Sequence, residues 1–221
     1  TLPMLRNVGP EGFVYAVEPD TQSIGILRKN VEDNGYNDRC EVTECAISDQ
    51  DGTVEFWEAS KPNLSSVKKN KYSTTKKDVP CYSLNTFLQD RRYPNFIKMD
   101  VEGHEVKIFE GGLDYFSKNE GHTNILLEVH PNTYDKDNDF EKVLREYFKL
   151  GFNSKWVIAT PIPQPSLFKM AGYEPVRTIQ TDGFHRGLYN NVSNDHLAKF
   201  ACHEHLDSGS RKIVRSFMIS R

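Results

Sequence analysis

Asp100 and Glu102 stand at the point where the hydrophobic period of the chain changes. Before them, Phe96, Ile97, Met99 and Val101 read as a short buried strand; after them, Val106, Ile108, Phe109 and Leu113 recur at helical spacing. A strand therefore runs into a helix across Asp100, Glu102 and Gly103. In open α/β sheets ligands bind beyond the carboxyl ends of the strands, so this turn aims two carboxylates into the expected crevice. Such groups can align a nucleophile and take the proton from a hydroxyl. The plain structural alternative has Asp100 bonding the first N–H groups of the helix while Glu102 packs behind it. Gly103 suits a place where the cofactor or the chain comes close.

His130, two residues after Glu128, offers an imidazole at another expected strand end and competes with Asp100 as general base. A histidine before Pro131 is as readily a structural hydrogen-bonding residue. Asp100, Glu128 and His130 could together surround a magnesium-like ion; the adopted reading has no metal. Glu18 ends the run Phe13 to Val17 and, with Pro19, leads into Asp20 and a helix-patterned segment. A carboxylate there can accept hydrogen bonds from two adjacent ribose hydroxyls, which implies adenosine, or it can cap the following helix. Cys202, His203 and His205 lack a second ligand pair and read as a helix surface. Lys68, Lys69, Lys71, Lys76 and Lys77 could meet an anionic acceptor, or belong to a solvated loop.

The elements that position these groups alternate. Phe13 to Val17 reads as a strand, Ser23 to Gly35 as a helix, Glu41 to Ile47 as a strand, and Thr53 to Trp57 as another after the turn at Gln50, Asp51 and Gly52. Ser60 to Asp78 is a polar loop, and Tyr82 to Leu88 a short helix or turn. Asn124 to Val129 is a strand, Asp139 to Leu150 a helix ending at Gly151, and Ile213 to Ile219 a last strand. Strands alternating with helices predict an α/β fold with a mainly parallel sheet flanked by helices. The organisation is a single domain over residues 1–221, with a loop at 60–78 and a Pro-rich insertion at 160–182.

DVEGHE followed by EGG, with VYAVEPD upstream and LLEVHP downstream, resembles the FkbM family of S-adenosylmethionine-dependent methyltransferases. All three blocks stand in the family's order, the similarity spans Val8 to Leu150, and beyond that it thins. The resemblance implies a Rossmann-like class I fold with an antiparallel last strand, S-adenosyl-L-methionine as cofactor, and Glu18 and Pro19 of VEP at the ribose. It places Ala46 and Ile47 against the adenine, where they read at least as well as ordinary core, Asp49 within reach of its amine, where it is equally a turn residue, and Asp100 beside the donor. It further implies O-methylation of a small-molecule acceptor such as a carbohydrate, with Asp100, Glu102 and His130 as catalytic candidates. In similar enzymes a first strand and a turn of the type DxGxNxG precede the first helix; TLPMLRNVGPEG begins inside that helix, so the chain reads as N-terminally truncated. Two rivals remain: a NAD-dependent oxidoreductase, whose second strand also ends in a ribose-binding acid, and a non-catalytic nucleotide-binding module.

The composition is compatible with this. At 221 residues with a formal charge of −3 the chain can bury one core and carries no electrostatic footprint for nucleic acid. No apolar run reaches the roughly 18 residues of a membrane span. The four cysteines show no CxxC spacing, which predicts reduced thiols and a cytoplasmic protein.

Overall fold

The computed structural model describes residues 1–61 and 64–221. Helix α1 (Leu2–Asn7) leads through a turn at Gly9 into strand β1 (Val14–Val17). Asp20 then caps α2 (Thr21–Asp33), its carboxylate accepting the Gln22 and Ser23 N–H groups at 3.1 and 2.8 Å. Such a cap satisfies donors that the helix leaves unpaired. β2 (Cys40–Thr43) returns parallel to β1, as a strand–helix–strand unit requires.

The strand expected over Glu41 to Ile47 is in fact two. β2 stops at Thr43, and β3 (Ala46–Ser48) joins another sheet of order β3-β5-β4, with β4 spanning Gly52–Ala59 and β5 Ser73–Ser83. Ala46 is drawn there by a small buried cluster with Phe56, Val79 and Cys81. The polar loop is likewise shorter than expected, because from Ser73 onward the chain is a strand whose Lys76 and Lys77 lie opposite Trp57 and Phe56. Cross-strand pairing here overrides the weak strand preference of lysine. Positions 62–63 of the expected loop lie outside the described residues.

The main sheet has six strands in the order β6-β7-β11-β8-β10-β9. These are β6 (Phe96–Met99), β7 (Asn124–Glu128), β8 (Asn153–Ala159), β9 (Arg177–Thr181), β10 (Phe184–Tyr189) and β11 (Val214–Ser220). β6 and β7 pair in parallel; β11 lies antiparallel to both β7 and β8, and β10 is antiparallel to β8 and β9. The mainly parallel sheet is therefore corrected to a mixed one, while the last strand is antiparallel as expected. Topology is the reason: β11 inserts between β7 and β8, and the β9–β10 hairpin turns at Asp182 and Gly183, both at positive φ, without a crossover. The Pro-rich stretch thus supplies α6 (Ser166–Met170) and β9 to the sheet edge. β1 and β6 share no ladder, yet Tyr15 and Val17 pack on the main core.

That core is aromatic. Phe109 and Phe116 of α4 (Glu105–Lys118) meet Tyr147 of α5 (Phe140–Lys149), and Phe140 stacks on Phe217 of β11. α7 (Asn194–Cys202) packs against α5, and α3 (Leu84–Gln89) against α4. Burying each large apolar side chain contributes about 1.5–3 kcal/mol. The close seat of α4 on β3 depends on Gly111, where a Cβ would come within 2.1 Å of the Ser48 carbonyl oxygen. Among the described residues no helix is long and apolar enough to cross a membrane.

Candidate functional site

β6 and β7 are adjacent and parallel, with Met99 opposite Leu127, so the turns that follow them emerge at the same end of the sheet. After β6 the chain folds back sharply: Glu102 and Gly103 take φ of 51° and 102°. A Cβ at Gly103 would sit 2.7 Å from the Thr133 side chain, so glycine lets this turn close onto the single helical turn Pro131–Thr133 that follows His130. Asp100, Glu102 and His130 are thereby brought together. Each presents one donor atom, and these atoms lie within 4.8 Å of one another.

Glu105, which the sequence reading did not single out, organises this group. Its carboxylate is fully buried at the start of α4 and lies 2.7 Å from Nδ1 of His130. The Tyr134 hydroxyl donates to its other oxygen at 3.1 Å, and the Gly103 N–H donates at 3.1 Å. An acid in the first helical turn is an ordinary helix signal, which is why its partner in the sheet was invisible. Burial works against a charged His130, but the bond to Glu105 and the charges of Glu105 and Glu102 outweigh it and raise the pKa. Burial also lifts the Glu102 carboxyl, with Asp100 and Glu128 adding to the effect against the pull of His130. His104 precedes the same helix without a side-chain capping bond; burial pushes its imidazole down to about 4, and Nε2 lies 3.1 Å from the Ser48 hydroxyl.

Glu18 stands at the end of β1, as expected, and burial raises its pKa despite the N–H bond from Asp20. That 2.8 Å bond occupies one of its oxygens, and the other accepts no hydrogen bond among the described residues. The polar segment after β4 ties this end to the other. The Ser65 hydroxyl donates to Asp20 at 2.9 Å, while Lys68 donates to the Thr133 carbonyl at 2.8 Å. Three residues span at most about 11 Å, so the turns after β1 and β7 lie on one rim.

The sequence profile described as the methyltransferase FkbM domain matches residues 1–154. The chain belongs to the FkbM methyltransferase family. Among solved structures it is similar to methyltransferase FkbM from Methylobacillus flagellatus KT, at 15% identity and a TM-score of 0.45, over 81% of this chain and 36% of that one. The chain thus spans about a third of the length of that relative. No curated protein matches it.

The other residues that the FkbM resemblance assigns are placed less simply. Ala46 does not end the strand that follows α2; it opens β3, with its side chain inside the small core. Ile47 is half-buried and packs on the main core. Asp49 is taken up by the Ser48 hydroxyl at 3.0 Å and by Lys107 at 3.1 Å. Glu128 does not join Asp100 and His130, because Arg215 holds it at 2.9 Å and Lys212 lies 3.5 Å away. Cys202 is buried rather than on a surface, His203 pairs with Glu141 at 2.5 Å, and His205 lies 3.0 Å from the Lys199 carbonyl. Of the lysines, Lys69 lies over the Trp57 ring and Lys77 pairs with Glu58.

Proposed function

We propose that this FkbM domain is an S-adenosylmethionine-dependent O-methyltransferase acting on a hydroxyl of a small acceptor of carbohydrate-like polarity. The observation that carries this is the convergence of Asp100, Glu102 and His130 on the rim that also holds Glu18. When bound, the donor would supply a sulfonium methyl group, its C–S bond being exchanged for the acceptor's new C–O bond with the sulfonium charge neutralised. Glu18, one of whose carboxylate oxygens accepts no hydrogen bond among the described residues, suits a ribose hydroxyl, and Pro19 follows it in the same turn. Ile47 and the backbone of β3 stand toward the adenine in this reading.

Asp100 is the most exposed of the three clustered side chains and takes the proton that the acceptor hydroxyl loses. Glu102 and His130 keep the surroundings negative and polar, so the oxygen is aligned and its developing charge is governed by fixed groups. Pro131, Asn132 and Tyr134, with His203, Glu204 and Arg211, line a cavity of about 520 Å³ beside this turn. Its polar walls suit a hydroxylated acceptor.

Calorimetric titration of the full-length protein that carries this domain with S-adenosylhomocysteine tests the reading. Stoichiometric binding is expected, with NAD giving no heat. Binding of NAD in its place would make the domain an oxidoreductase, and binding of neither would leave it a methyltransferase fold without a donor site.

A further inference from the structure

We propose that Asp100, Glu102 and His130 seat a divalent first-row transition cation of the Mn²⁺ type, whose open positions take a hydroxyl oxygen of the acceptor. The acceptor's part in this rests on the methyl-transfer reading; the cation site does not.

The first support is the donor set. One oxygen of Asp100, one of Glu102 and one nitrogen of His130 lie within 4.8 Å of each other, on the turns of two different strands. Around an octahedral ion with ligands at about 2.1 Å, neighbouring ligand atoms are about 3 Å apart and opposite ones about 4.2 Å. Small side-chain rotations would bring the three donors onto one ion.

The second support is the carboxylate that holds the ring of His130. Glu105, fully buried, holds Nδ1 of His130 at 2.7 Å and is itself held by the Tyr134 hydroxyl and the Gly103 N–H. A carboxylate on one imidazole nitrogen fixes the ring, directs the other lone pair outward and makes it a better metal ligand. Nε2 is left 3.6 Å from Glu102, beyond hydrogen-bond length, in a ring whose side chain is only 12% exposed. Glu128, the nearby acid on β7, is meanwhile engaged by Arg215 and Lys212. Among the described residues Lys98, 3.7 Å from Asp100, is the cation that pairs with the cluster.

The chemistry of the donors selects the ion. Magnesium and calcium favour all-oxygen sites, whereas one imidazole with two carboxylates suits a borderline ion that accepts both nitrogen and oxygen. Three protein ligands leave positions open for water or hydroxyl oxygens, as catalytic metal sites do. Asp100, bound through one oxygen, keeps the second for the proton released by the coordinated hydroxyl.

The test is titration of the chelator-stripped protein with Mn²⁺, followed by loss of the free-ion electron paramagnetic resonance signal. One ion per chain is expected. Glu102→Gln and His130→Ala should each weaken binding at least tenfold, and Glu105→Gln, which acts through His130, by about 10–100-fold. Glu102→Gln carries the test should His130→Ala fail to fold, with thermal melts as the control. An unchanged free-ion signal, or equal binding by protein and variants, would reduce the cluster to a loose ion pair and sink the proposal. Equal displacement of Mn²⁺ by Mg²⁺ and Ca²⁺ would refute the class of ion. A protein that binds S-adenosylhomocysteine but no Mn²⁺ overturns the cation site alone; one that binds Mn²⁺ but no S-adenosylhomocysteine overturns the methyl-transfer reading and keeps the site.

Discussion

Oε1 of Glu105 lies 2.7 Å from Nδ1 of His130, joining the first turn of α4 to the end of β7 through a fully buried carboxylate. Breaking a buried pair by removing one partner leaves the other uncompensated and costs about 3–5 kcal/mol. Glu105→Ala is therefore expected to lose stability in that range, and Glu105→Gln to lose less because it keeps acceptor and donor groups in place. Equilibrium urea unfolding measures both. An alanine variant as stable as the parent would show that the pair contributes nothing net.

In the proposed reading Asp100 takes the proton, since its turn begins the cluster and its side chain is the most open of the three. Removing a group that takes a proton in the transition state lowers the rate by about 10²–10⁴. Asp100→Asn should fall in that range in single-turnover measurements at saturating donor and acceptor. A nearly normal rate would move the proton to another group.

One oxygen of Glu18 accepts no hydrogen bond among the described residues, and in the proposed reading it meets the donor ribose. A hydrogen bond to a charged group is worth about 1.5–3 kcal/mol, so Glu18→Ala should weaken S-adenosylhomocysteine binding roughly 10- to 150-fold. Calorimetry gives the affinity directly, and an unaltered value would remove Glu18 from the ribose contact.

Asp20 predicts an acid-dependent stability. Burial works to raise its pKa, but the N–H and hydroxyl of Ser23, the hydroxyl of Ser65 and the N–H of Gln22 favour the anion, and the pKa ends below its ordinary value. The unfolded chain therefore takes up the proton first. The stabilisation is complete above the unfolded value of about 3.9 and disappears as the pH falls through the lower folded value. Asp20→Ala should cost about 1–2 kcal/mol near neutrality. Its difference from the parent in urea midpoint should shrink below about pH 4; a difference that stays constant down to acid would contradict the cap's charge.

The four thiols are free and buried. Burial pushes Cys45 up to about 11 and raises Cys40, Cys81 and Cys202 as well. Because the thiolate is the reactive form, native protein at neutral pH should react far more slowly with a thiol reagent than protein in denaturant, where all four count. Rapid native labelling would argue that one of these sites opens readily.

The pattern around Asp100 was legible because it is local. A period-2 apolar run meeting a period-3.6 run locates the strand, the turn and the helix, and the acids between them must sit at the strand's end. The same locality gave the Thr21–Asp33 and Phe140–Lys149 helices and the final strand near their observed bounds. What depended on distant partners was not legible. The break after Thr43 is set by a core formed with Phe56 and Val79, the strand character of Lys76 and Lys77 by pairing with β4, and the mixed sheet by where β11 inserts.

The site divides in the same way. The sequence by itself determined the family, the carboxylate turn at Asp100 and Glu102, and an imidazole at a second strand end, because these are facts of residue type and spacing along one segment. Only the tertiary structure decided that His130 meets Glu102 rather than Glu128, that Glu105 holds its ring, and that Ser65 and Lys68 link the Glu18 turn to the His130 turn. Each of those pairings joins residues at least 25 positions apart, where strand neighbours and close approaches such as Gly103 on Thr133 set the distances and local preference has no influence.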